Sequence, residues 1–155
     1  MKKTFCLFLA MLLLLGTCGC RQTDEIHFYY PRVDVRYDIS DGVITYESRD
    51  ISRDSVDLSY MLKLYLEGPI SQELYSPFPQ GTALESISYA GKQLFILMNE
   101  SYATLDNVDY TIACICIAST CFALTDAASV TIKTTYTSIT LTPDMMVLDD
   151  TVTAP

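Results

Sequence analysis

The sequence predicts a small α+β domain, with two helices packed on one face of a mixed or antiparallel sheet. Three observations predict it. Leu58, Met61, Leu62, Tyr65 and Leu66 recur at helical spacing. Short strand-like stretches flank turn signals at Asp41-Gly42 and Ala90-Gly91. The elements do not alternate in the βαβαβ rhythm of a parallel sheet, and no internal repeat is evident. The chain has 155 residues, enough for one domain once a leader is set aside.

The leader comes first. Lys2-Lys3 form a positive start, and residues 5–15 form an apolar core of signal-peptide length, too short for a stable spanning helix. Leu15-Gly16-Thr17-Cys18-Gly19-Cys20 resembles a bacterial lipobox, in which small residues precede a lipidated cysteine. Cys20 follows Gly19 directly, whereas the alternative, Cys18, follows the bulkier Thr17. We therefore read 1–19 as a lipoprotein signal peptide, 20–25 as a tether, 26–150 as the domain and 151–155 as a tail. An ordinary secretory signal cut in this region is the competing reading. The net charge is −9, from 10 Lys and Arg against 19 Asp and Glu, and the leader holds two of the lysines. Such a surface repels nucleic acid and anionic lipid, so membrane attachment needs an acyl chain rather than a basic patch.

Residues 27–30 read as an aromatic first strand, and the alternating stretch 33–40 extends or pairs with it. Residues 43–46 form a second strand leading into 47–51. The first helix is expected to start near Asp54, with Asp57 approximating a capping box. It stops at Gly68-Pro69, where glycine suits the left-handed closing residue and proline cannot continue the helix. In the loop Ser76-Pro77-Phe78-Pro79-Gln80-Gly81-Thr82, the prolines hold their neighbours extended and Gly81 turns the chain into the next strand.

Residues 84–89 and 93–98 read as an antiparallel pair. The second is apolar on both faces, as suits a strand covered on both sides, or on one side with a partner surface on the other. Residues 110–124 alternate well enough for a strand, but their length favours a helix capped by Asp106 or Asn107. That helix is apolar nearly all round and is expected to be deeply packed rather than to span a membrane. A strand at 129–135, another possible short one beyond Tyr136, and an acidic end at Asp149-Asp150 complete the chain.

The chemistry is sparse. His27 is the only histidine, so neither a zinc site with Cys114, Cys116 and Cys121 nor a nucleophilic triad is expected, and no cofactor is predicted. The three cysteines read as small buried residues. No serine sits in a nucleophile elbow, and no glycine loop is built to cradle phosphate. Asp106/Asp109 and Asp149/Asp150 suit capping or solvated roles better than acid/base work. Glu85 or Glu100 as the carboxylate of a wall hydrolase is the weakest reading. The 11 tyrosines fit half-buried packing or interface contacts. The expectation is a protein that is not an enzyme.

Leu66-Glu67-Gly68-Pro69, then 76–84, a strand pair, a helix and Val130-Thr131-Ile132 resemble the GerMN domain, the sporulation and spore germination domain of bacterial envelope lipoproteins. Upstream, 43–51 with Arg49 resembles the family's second strand and Arg-containing segment, and Leu141-Thr142-Pro143-Asp144 its ending. Ile96-Leu97-Met98-Asn99 departs from it, lacking the acidic residue of a Val-Asp-Phe-Ser-like strand. The resemblance marks Gly68, Pro69, Pro77, Pro79, Gly81 and Thr82 as fold-defining. It implies a fold similar to the ring-building motif and a lipid-anchored extracytoplasmic scaffold. It also implies that the chain joins other envelope proteins or self-associates into oligomers, rings among them. A ligand-binding envelope lipoprotein is the alternative.

Overall fold

Strand β1 (Glu25–Pro31) buries every second side chain, Ile26, Phe28 and Tyr30, because successive residues of a strand point to opposite faces. It pairs antiparallel with β2 (Ile44–Asp50), Tyr29 opposite Tyr46, as a two-stranded ribbon. Helix α1 (Leu58–Leu66) follows, then the antiparallel pair β3 (Leu84–Ala90) and β4 (Gln93–Met98). A 3-10 turn (Tyr102–Thr104) leads into helix α2 (Asn107–Leu124), then β5 (Ser129–Lys133), β6 (Ser138–Leu141) and a last 3-10 turn (Pro143–Met146). The computed structural model describes residues 25–34, 42–51 and 57–146. Cys18 and Cys20, the two cysteines of the expected lipidation site, the stretch 35–40, Asp54 and Asp149-Asp150 lie outside them.

The strands fall into two sheets rather than the single one expected. The second has the order β3-β4-β5-β6 and is mixed, because α2 carries the chain across from β4 to a parallel β5. One core joins the parts: β1 supplies Phe28 and Tyr30, α1 Leu62 and Tyr65, α2 Cys114 and Ile117, and the larger sheet Ile96 and Ile132. Helix α2 is long and apolar enough to cross a membrane by length and composition. Its buried residues, among them Ala113, Cys114, Ile117, Ala118 and Cys121, nevertheless belong to this core. Their small size lets β1 approach closely, and the backbone N–H of Tyr29 donates to Thr120 Oγ1 at 3.0 Å.

Two boundaries are corrected. The cap of α1 is Asp57 itself, whose carboxylate accepts from the Tyr60 N–H at 2.7 Å, so Asp57 is not the third residue of a capping box. The strand read over 129–135 ends at Lys133, where Thr134 takes hydrogen bonds from the N–H groups of Tyr136 and Thr137 and turns the chain. In β4, Leu94, Ile96 and Met98 are buried while Phe95 and Leu97 are half-buried, so one face of this strand is covered and the other is partly open.

Candidate functional site

The described region with the densest polar organisation is the loop from Glu67 to Ala83, held at three points. The first hold comes from β2. Glu47 and Arg49 are two residues apart, so both project from one face of the strand. Their side chains are only 10% and 9% exposed and form an ion pair. The Glu47 carboxylate also accepts from the backbone N–H groups of Ile70 at 3.0 Å and Ser71 at 3.1 Å. Arg49 donates to the Gly68 carbonyl at 2.7 Å and lies over the Phe28 ring, 4.8 Å from its centroid. Carbonyls at a helix C-terminus lack partners within the helix, and Arg49 satisfies one just beyond α1.

The second hold is Asn99, just past β4. Its side-chain oxygen accepts from the Ala83 N–H at 3.0 Å, and its amide donates to the Gly81 carbonyl at 2.8 Å. Gly68 and Gly81 take φ of +101° and +85°, the left-handed region that favours glycine. A Cβ on Gly81 would also stand 3.4 Å from Ser101 Oγ. Gly81→Val is expected to lower stability by about 2 kcal/mol, from the backbone conformation and the β-branched side chain together. An unchanged melting temperature would contradict this.

The third hold is aromatic. Phe78, set between Pro77 and Pro79, meets Tyr65 edge-on at 5.3 Å and Tyr102 at 6.4 Å between centroids. Tyr65 stacks at a tilt on Tyr30 at 4.8 Å. The two phenols cross: Tyr30 donates to the Tyr65 carbonyl at 2.6 Å, and Tyr65 to the Tyr29 carbonyl at 2.8 Å. Burial pushes the phenols of Tyr30, Tyr65 and Tyr102 upward.

The cysteines are buried thiols in α2. Cys114 Sγ lies 3.1 Å from the Tyr102 hydroxyl, and burial pushes the Cys116 thiol up to about 12 from its ordinary value of 9.0. A raised folded-state pKa means that the unfolded chain ionises first. Stability from these groups is therefore complete below about pH 9 and is lost as pH rises from there. Between 9 and 12 the Cys116 thiol alone is expected to reduce stability by about 1.4 kcal/mol per pH unit. Urea denaturation from pH 8 to 11 checks this; a flat profile would contradict it.

His27 stacks on Tyr46 at 4.1 Å, on the outward face of the ribbon. Glu85 and Glu100 are both exposed. Asp106 is the cap residue of α2, without a side-chain cap bond, and Asp109 lies in its first turn. No group of three or more His, Cys, Asp or Glu able to hold a metal occurs among the described residues. An open cleft of about 570 Å³ runs beside the loop, lined by Arg32, Thr45, Tyr46, Glu47, Ser71 and Glu73 among others.

Of the residues singled out in the sequence, the structure gathers Gly68, Pro69, Pro77, Pro79, Gly81 and Thr82 into this one loop. It adds Glu47 and Asn99, which sequence reasoning missed. For Glu47 a signal existed in its two-residue spacing from Arg49. Comparison with protein-family models, with curated proteins and with solved structures finds no match.

Proposed function

We propose that the chain is a lipid-anchored, extracytoplasmic interaction module of the GerMN kind, a non-catalytic scaffold acting in sporulation or spore germination. The observation that carries this reading is the meeting of two separated stretches of the resemblance. The Arg49 segment and the Gly68-Pro69 loop are far apart in sequence, and direct hydrogen bonds join them. A second set of bonds, through Asn99, fixes the end of the same loop. The lipobox-like residues before Cys20 and the acidic composition support anchoring by an acyl chain on the outer side of the cell membrane.

Cys20→Ala is expected to move the protein from the membrane fraction to the soluble fraction and to abolish acyl labelling. Persistent labelling would place the lipid on Cys18, and labelling of neither cysteine would contradict the anchor. The alternative, a ligand-binding envelope lipoprotein, is favoured by the cleft of about 570 Å³, a volume within the range of small-molecule sites. A thermal shift with one metabolite class would decide for it.

A further inference from the structure

We infer that β3 is a self-pairing edge, through which two copies of this chain join antiparallel about a two-fold axis at Ser88. The inference rests on the reading of the chain as an interaction module and names its partner as a second copy.

Strand β3 ends the four-stranded sheet, and five of its seven residues, Glu85, Ser86, Ser88, Tyr89 and Ala90, are exposed. Among the described residues no backbone hydrogen bond reaches the strand from its outer side. An edge of this length is normally blunted with lysine, proline or an inward charge. Here the strand Leu84-Glu85-Ser86-Ile87-Ser88-Tyr89-Ala90 has one charge, no lysine and no proline. Its single irregularity lies at the Leu84/Ser86 end, leaving 86–90 regular.

The sequence of the strand selects the occupant. With the axis at Ser88, Ser86 faces the second copy's Ala90, and Ile87 faces its Tyr89. Each Ile87–Tyr89 pair is of the aromatic–β-branched type that stabilises neighbouring strands, and it covers a tyrosine that is 55% exposed in the single copy. Glu85, at one end of the strand, then falls opposite Gly91 of the second copy, beside Lys92 in its hairpin. The Lys92 side chain is 69% exposed and its Nζ lies 3.4 Å from Asp126 in a surface pair, so it remains available to a second carboxylate. Parallel pairing would instead set Glu85 beside Glu85. The chain as a whole is strongly acidic, so association should tighten as added salt screens the long-range repulsion.

The test is sedimentation velocity of the full chain in non-ionic detergent over a range of concentration and salt. The native chain is expected to form a dimer. Ser86→Lys/Ala90→Lys places like charges opposite each other twice and should raise the dimer dissociation constant about tenfold. Ser86→Lys/Ala90→Glu places opposite charges there and should match or exceed the native chain. Residues 86 and 90 are about 13 Å apart along one strand, too far to touch within one copy. The double-lysine variant is also less acidic by two charges, so net charge alone would make it associate more tightly, the opposite of the expected result. A native chain monomeric at every concentration, or two variants that behave alike, would overturn the inference. A monomer that still carries its acyl chain would leave the proposed function standing, whereas a dimer without any acyl chain would remove the anchor and keep the pairing.

Discussion

Glu47→Ala is expected to lower stability by about 3 kcal/mol, because it leaves a buried guanidinium without its carboxylate. The mutation also strips the Ile70 and Ser71 N–H groups of their acceptor. For a domain of this size that corresponds to a melting temperature lower by roughly 10 °C. Arg49→Ala should fall in the same range, since it leaves the Glu47 carboxylate buried, though still bonded to two backbone N–H groups, and frees the Gly68 carbonyl. The pair acts as one unit, so the double variant should lose less than the sum of the two single losses. Thermal unfolding followed by circular dichroism measures all three. Additive losses would mean that the two side chains hold the loop independently.

Tyr65→Ala is expected to have the other large effect, about 4 kcal/mol, comparable to truncating a buried phenylalanine. Tyr65 is fully buried, and its ring lies between Phe28, Tyr30 and Phe78. Removing it opens a cavity where α1, β1 and the Pro77-Phe78-Pro79 loop converge. Tyr65→Phe keeps the ring and loses the hydroxyl, with its bond to the Tyr29 carbonyl and its interaction with Thr120, so about 1 kcal/mol is expected. Urea denaturation should show both shifts in midpoint at an unchanged slope. Equal losses in the two variants would mean that the hydroxyl, and not the ring, carries the contribution.

Much of this fold was legible because local chemistry and periodicity agreed. The helical spacing from Leu58 to Leu66, the Ala90-Gly91 turn and the apolar length of 110–124 each marked an element. The division into two sheets was not legible, since nothing local in 25–31 or 44–50 tells a strand which neighbours it will meet. That depends on the small residues of α2, which let β1 pack against the helix. The cap of α1 was misplaced because Asp54 and Asp57 present the same side chain three residues apart, and local sequence does not rank them. The loop's glycines and prolines were readable from their backbone preferences. Its anchors were not, because Glu47 and Asn99 act over 24 and 18 residues through bonds to the backbone, which place no demand on the sequence they reach.

Chemical cross-linking in intact cells, followed by denaturing electrophoresis of the membrane fraction, most directly tests whether this protein works by contact with other proteins. The account predicts that the chain is recovered from membranes in covalent adducts with itself or with other envelope proteins. Recovery of the chain only as an uncross-linked species, together with a thermal shift on binding a small metabolite, would contradict it.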